Sequence, residues 1–335
     1  MGNDGRISSY LDGAFIGRSA GAVHSCFHTS FNFTLGDRLI HAGPDCRPLC
    51  CFGMELPGDR VRALLQAIAP GDLVSCRDGR IAVYGRNEIF TLHADQMEMV
   101  DLRIENGRPH EGAALCELLQ ELDLDGQLGI EKDEPFRRCC RTLEAFARSA
   151  VVLGGSAGLG RAQGVSAEGA SARPGSVQDI STGLGRAEGI NAGPSDTQGV
   201  NTQFARQSGP DSPGASIPSL SEAISWLIGR GQGLTPSGDD ILLGYGAGLL
   251  ALDPSGAGRL FLNTLSGCLH GQTTDISLGY FRGLAAGCVN ENMKLLLRGF
   301  WNNDRGDTKR WLESVRAVGH TSGCDTLFGL RLVHK

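Results

Sequence analysis

The chain has 335 residues, a hydrophobic fraction of 41% and a formal charge of −6, the profile of an ordinary folded protein long enough for two domains. The acidic balance, with no Lys/Arg run interleaved with aromatics, argues against DNA or RNA partners. The opening MGNDGRISSYLDG has no basic stretch followed by an apolar one, Arg6 stands where a myristoylation signal needs Ser or Thr, and the longest apolar run, 241–252, contains three glycines and is too short for a bilayer of roughly 30 Å, so a cytoplasmic protein without membrane contact is expected.

The first third reads as β. Over residues 23–33, Val23, Phe27, Phe31 and Phe33 alternate with His24, Cys26, His28 and Asn32, the period-2 pattern of a strand with one packed face and one facing solvent or ligand. On such a strand His24 and His28 would lie roughly 13 Å apart, too far for one metal ion. A helix is predicted over GDRVRALLQAIAPG, with Val61, Leu64, Leu65 and Ile68 on one face and Pro70-Gly71 ending it. Asp78-Gly79 between two β-prone runs is a strong hairpin signal, and EIFTLHA and MEMVDLRI add strands. Several short strands with one helix suggest a small barrel or sandwich over residues 1–110.

From about residue 111 the period becomes helical. Leu115, Leu118, Leu119 and Leu122 form one stripe, and Phe136, Cys139, Cys140, Leu143, Phe146 and Ala150 another, the latter entered through Asp133-Glu134-Pro135. Residues 111–153 are read as a helical segment joining the C-terminal domain. Between 154 and 218 the composition turns to Gly, Ser and Ala, and SAGLGRAQGVSAEG recurs imperfectly as STGLGRAEGINAGP. With almost no large apolar side chain, this stretch reads as a disordered, duplicated insertion, and its G-L-G-R-A elements lack the preceding strand a phosphate loop needs. A helical domain, 219–335, then begins with Ser219 and Glu222 spaced as a capping box. The fold class expected is α+β, an N-terminal barrel or sandwich followed by a Gly-rich helical bundle.

The eleven cysteines include no C-x-x-C, and they read as free, mostly buried thiols. The adjacent pairs Cys50-Cys51 and Cys139-Cys140 would point to opposite faces if on strands.

One device occurs three times: PSGDDILLGY at 236–245, GQTTDISLGY at 271–280 and HTSGCDTLFGL at 320–330. Hydroxyl and small residues precede an Asp, which precedes an apolar run holding Gly; the first and third share S-G-x-D-x-L-x-G. Each is a helix N-terminus, with Ser237 capping toward Asp240 and Ser322 toward Asp325. Capping alone explains the pattern. The functional alternative rests on Thr235, Ser237, Asp239 and Asp240 crowded around Gly238, which is more than a cap requires. It rests also on Gly244, Gly248, Gly279, Gly283 and Gly287, whose cost of roughly 1 kcal/mol each against Ala close helix packing would offset. If the starts converge, backbone amides, hydroxyls and dipoles suit an anion: phosphate, carboxylate or an acyl-transfer oxyanion. Asp239 and Asp240 then offer a general base or leave Mg open as a ligand set. His320, and with less reason His270, could donate or move a proton.

Three segments, GQGLTPSGDD, TTDIS and VGHTSGCDTLFGL, together with His24-Ser25, Phe27 and Asn32, resemble those of the family of uncharacterised proteins that includes the AllH subunit of oxamate carbamoyltransferase. The insertion at 154–218 departs from that pattern. The resemblance implies anaerobic purine (allantoin) breakdown, in which carbamoyl passes between oxalurate and phosphate to give oxamate and carbamoyl phosphate, with companion subunits including an acyl-CoA-synthetase-like chain. On that reading Asp239, Asp240 and His320 do the chemistry. Thr235, Ser237, Gly238, Thr273, Thr274, Asp275, Thr321, Ser322, Gly323, Asp325 and Asn32 bind the small anionic substrate. The rival reading is a non-catalytic scaffold or regulatory subunit in which the motifs are caps and interface.

Overall fold

A computed structural model describes residues 5–45, 47–107, 113–157, 217–269 and 271–334, with 150–157 described by backbone only. Cys46, His270 and the repeated segments within 158–216 lie outside the described residues.

The strands come first. They are β1 (Arg6–Ser8), β2 (Arg18–Cys26), β3 (Phe31–Leu35), β4 (Arg38–Pro44), β5 (Gly53–Leu56), β6 (Leu73–Arg77), β7 (Arg80–Tyr84), β8 (Ile89–His93) and β9 (Glu98–Val100), with helix α1 (Gly58–Ala67) between β5 and β6. They form one curled nine-stranded sheet, a half-barrel, in the order β8-β7-β6-β2-β3-β4-β5-β1-β9. The β4–β5 and β1–β9 pairs are parallel and the others antiparallel. The Asp78-Gly79 turn joins β6 to β7 with positive φ at both residues, 48° and 83°, the backbone that a two-residue hairpin demands. Val61, Leu64 and Ile68 of the α1 segment are buried with Phe31, Phe33, Ile40 and Ala42 in the core of the sheet.

Residues 23–33 are not one strand. The chain turns at Phe27, whose N–H bonds the Ser30 carbonyl at 2.8 Å, and β2 pairs antiparallel with β3, Ser25 opposite Asn32 and Cys26 opposite Phe31. The turn has no Gly or Pro to mark it, so the alternation of apolar residues ran through it. His28 lies exposed on the turn.

The helices follow: α2 (Ala114–Glu121), α3 (Glu134–Ala157), α4 (Leu220–Leu227), α5 (Ser237–Leu252), α6 (Ala257–Cys268), α7 (Asp275–Ala285), α8 (Glu291–Leu297), α9 (Arg305–Arg316) and α10 (Ser322–Arg331). Asp133 caps α3 through the Phe136 N–H at 2.8 Å, and α3 continues to Ala157, past the boundary read from composition. The capping box at Ser219 and Glu222 forms as spaced. The two cysteine pairs are not on strands: Cys139 and Cys140 lie in α3, and Cys50 and Cys51 precede β5. The ten described cysteines are all free thiols.

Helix α5 is buried almost all round, as a helix apolar on every side must be. Its closest neighbour is α10. A Cβ on Gly244 would stand 1.9 Å from the Thr326 carbonyl oxygen, and a Cβ on Gly329 would stand 1.9 Å from that of Ile241. Glycine at these two positions lets the backbones touch, which is the offset the sequence called for. No described helix is long and apolar enough to cross a membrane.

Sheet and helices are joined by charge as well as packing. Arg6 on β1 holds Glu55 on β5 and Glu291 at the start of α8, both at 2.7 Å, and Glu291 also accepts the Leu49 N–H at 3.0 Å. Leu39, Cys51 and Phe52 pack with Ile276 and Tyr280 of α7 at the same junction.

Candidate functional site

Beside this junction is a cavity of about 470 Å³. Its walls come from the sheet face bearing Asn32 and His41, from Asp240, Leu243 and Ala247 on one side of α5, and from Ile276, Tyr280 and Leu284 on one side of α7. The opening turn of α10, the start of α8, Val315 of α9 and the loops before α5, α8 and α10 add to it. Exposed residues of those loops, among them Gln232, Leu234 and His320, form its rim. No described lining residue is Lys or Arg.

Seven of the predicted site residues line the cavity: Asn32, Thr235, Asp240, His320, Thr321, Ser322 and Gly323. Asp240 is the central one. Only 5% exposed, it has an Oδ2 without a hydrogen-bond partner. Burial pushes its pKa up to about 8, against the opposing pull of the Ser322 and Thr235 hydroxyls, while Asp325 and Asp239 push it further up. A carboxyl raised in this way favours its protonated form at neutral pH, the form able to donate a hydrogen bond.

The neighbouring hydroxyls are free for this because they are not caps. The N-caps of α5 and α10 are Pro236 and Thr321, neither making a side-chain cap bond, so Ser237 and Ser322 are first-turn residues instead of the capping residues predicted. Ser322 Oγ pairs with Thr235 Oγ1 at 3.0 Å. Only the second copy caps as expected: Thr274 accepts the Ser277 N–H at 3.1 Å and donates to the Leu234 carbonyl at 2.6 Å.

The remaining predicted residues do not line the cavity. Asp239 is fully buried, accepts the Gly229 N–H at 2.8 Å and takes the Thr273 hydroxyl on its other oxygen, so both residues tie the α4–α5 loop to the segment before α7. Asp239 and Asp240 therefore face different partners, and the pair does not fit a shared Mg ion. Among the described residues no three His, Cys, Asp or Glu groups are placed to hold a metal. Asp325 accepts the Gly129 N–H at 3.1 Å and has the Ser237 and Thr321 hydroxyls beside it. The Asp275 side chain is 73% exposed and pairs with His24 at 3.2 Å.

The glycines serve another purpose than the one expected. A Cβ on Gly238 would meet the Leu227 carbonyl oxygen at 2.0 Å, and one on Gly323 that of Val315 at 2.2 Å. Their N–H groups donate to Arg230 and Val318. These two amides are used inside the protein rather than presented to an anion.

His41 escaped the sequence reading. Asn32 pairs with it across the β3–β4 hairpin, and its Nδ1 lies 2.8 Å from Asn32 Oδ1. Burial, with Arg47 adding to it, lowers its pKa to about 4, so the ring is neutral. The signal available was the short Gly36-Asp37 turn, which places residues 32 and 41 opposite one another once a hairpin is assumed.

Fold and cavity define an α+β protein whose ligand-accessible hollow lies where two closely packed glycine-bearing helices begin. Residues 227–334 match the model of the family described as oxamate carbamoyltransferase subunit AllH, and the match supports membership of that family. It spans all three copies of the helix-start device. No solved structure matches the chain.

Proposed function

We propose that this chain is the subunit of an oxamate carbamoyltransferase-like enzyme that holds the carbamoyl-bearing substrate in the 470 Å³ cavity. The observation that carries the reading is Asp240, a buried acid that lines the cavity and has one carboxyl oxygen without a hydrogen-bond partner, inside the segment that the family model matches. In the reaction, a phosphate oxygen bonds to the ureido carbon of oxalurate, the C–N bond to the oxamate nitrogen breaks, and that nitrogen takes the proton given up by phosphate. The products are oxamate and carbamoyl phosphate. Protonated Asp240 donates to the carbonyl oxygen on which charge develops, assisted by the Thr235 and Ser322 hydroxyls. With no Lys or Arg among the described lining residues, the cavity suits the uncharged carbamoyl end. The anionic ends belong at the rim, where His320 and Thr321 stand, or against the companion subunits, including the acyl-CoA-synthetase-like chain.

The test is reconstitution with those companions and an assay for carbamoyl phosphate. Removing a donor of this kind lowers kcat by about 10²-fold or more, so Asp240→Ala is expected to do so and Ser322→Ala to have a smaller effect. A scaffold or regulatory role is the second reading, favoured by the engagement of Asp239, Thr273 and the Gly238 amide within the protein. Unchanged turnover in Asp240→Ala would establish it.

A further inference from the structure

Helices α5 and α7 run the same way, side by side. Their starts are tied by the Thr273 hydroxyl on Asp239. Nine residues into each helix, counting from Ser237 and Asp275, a Cβ on Gly246 would stand 2.8 Å from Leu284 Cδ2. The cavity follows this seam. It meets Asp240, Leu243 and Ala247 on α5 and Ile276, Tyr280 and Leu284 on α7, spacings that keep each set on one helix face. At about 1.5 Å per residue the two sets span roughly 10 and 12 Å. Ala247 and Leu284 at the far end are buried, whereas the exposed rim residues belong to the loops before α5 and α10, at the near end. The hollow is a slot that enters beside the helix starts and deepens along them.

Its two ends differ in chemistry. Near the helix starts stand Asp240, Thr235 and Ser322; deeper in, Leu243, Ala247, Ile276 and Leu284 are joined by Met293 of α8 and Val315 of α9. Two asparagines also reach the lining, but both are engaged within the protein. Asn290 Oδ1 accepts the Cys51 N–H at 2.8 Å, Asn292 Oδ1 accepts the Met293 N–H at 2.9 Å, and Asn292 Nδ2 donates to the Ser314 carbonyl at 3.2 Å. Of residues 237–251 only Leu243 is not buried, an apolar side chain bordering the slot on an otherwise enclosed helix. A water takes roughly 30 Å³ in the liquid, so 470 Å³ has room for about 15 non-hydrogen groups even at that loose packing, more than a three-carbon ureide supplies. A chamber walled by aliphatic side chains stays dry and takes apolar ligands.

We propose that the slot binds an uncharged carboxamide or ureide bearing an aliphatic chain, its carbonyl at Asp240, Thr235 and Ser322 and its chain between α5 and α7 as far as Ala247 and Leu284. The inference goes beyond the oxalurate reading and does not depend on it, since it uses only the shape and chemistry of the slot. The two hydroxyls both donate and accept, which answers a group carrying a carbonyl and an N–H. A carboxylate in the same place would lose its hydration without gaining a counter-charge, because no described lining residue is Lys or Arg.

Calorimetric titration of the full chain at pH 7 with acetamide, butanamide, hexanamide and hexanoate tests this. Each added methylene is expected to tighten binding by up to about fourfold, and hexanamide to exceed acetamide by at least about thirtyfold. Hexanoate should bind at least about tenfold more weakly than hexanamide. Ala247→Phe, which fills the far end, and Leu243→Asn, which puts an amide in the wall at a half-buried position that tolerates one, should each cut the hexanamide-to-acetamide ratio by about tenfold. Asp240→Ala should weaken both amides by about tenfold or more and leave their ratio as it was. A wild-type ratio below about threefold, hexanoate as tight as hexanamide, or a ratio unmoved by both wall variants overturns the proposal. Carbamoyl phosphate made by the reconstituted complex alongside a flat amide series leaves the proposed function standing and removes this inference; a steep series without carbamoyl phosphate does the opposite.

Discussion

Asp240 and Ser322 meet across two helices: the carboxyl comes from the first turn of α5 and the hydroxyl from the first turn of α10. The converse pair, Asp325 with the Ser237 hydroxyl, is also made. Both helices carry S-G-x-D-x-L-x-G at an offset of 85 residues, from Asp240 to Asp325 and from Gly244 to Gly329, and each glycine of the second pair rests on a carbonyl of the other helix. The repeat is thus an interlocked pair in which each acid serves the other helix's start.

That interlock is expected to be intolerant of a single methyl group. Gly244→Ala and Gly329→Ala each force α5 and α10 apart, and calorimetry should show a loss of about 1–3 kcal/mol or more. Gly267→Ala is the control. A Cβ there meets nothing within 4 Å, so this variant should gain up to about 1 kcal/mol.

Asp240 should make stability fall with pH. Its pKa is about 8 when folded, against an ordinary value of 3.8 for an aspartate. The unfolded chain therefore releases this proton near pH 4, while the folded protein keeps it until about pH 8. The contribution is full below about pH 4 and is lost progressively as pH rises to about 8, with a slope approaching about 1.4 kcal/mol per pH unit for one proton. Asp239 and Asp325 are shifted in the same direction. Urea unfolding at intervals from pH 5 to 9 should show a shallower decline for Asp240→Asn. Parallel curves for the two proteins would refute the assignment.

Framework and site should separate in a pair of variants. Thr273→Val removes the hydroxyl that holds Asp239 and is expected to cost about 1–3 kcal/mol of stability while leaving oxamate affinity unchanged in calorimetric titration. Ser322→Ala, beside Asp240, should weaken oxamate with little loss of stability.

Arg6 should prove costly to remove. Glu55 is 4% exposed at its side chain and has Arg6 as its ion-pair partner. Arg6→Ala leaves that carboxylate buried, and a loss of about 3 kcal/mol is expected in chemical denaturation. Glu55→Gln in the same chain should recover part of it.

Much of the frame was legible because it is local. The positive φ of Asp78-Gly79, the α1 stripe and the Ser219/Glu222 box each depend on residues a few positions apart. Gly244 and Gly248 of α5 announced close packing without naming the partner, which is α10, whereas Gly279 and Gly283 of α7 face Phe52 and Cys51 rather than another helix. What sequence could not supply was pairing over distance: an unmarked turn at 27–30 hid the β2–β3 hairpin, so Ser25, Asn32 and His41 could not be seen in line. The caps were misplaced by one residue because Pro236 and Thr321, not the serines, adopt the entry conformation. That shift freed the Ser322 hydroxyl for Asp240.

Gly129 separates the fates of the two matching acids. Its amide closes on Asp325, and a side chain there would collide with the Ser237 and Thr321 hydroxyls at 2.3 and 2.5 Å. Helices so alike in sequence thus differ in access because a strand of intervening chain stoppers one of them. Evolution could enlarge or reshape the vestibule by editing that stopper, leaving both helical halves of the lock untouched.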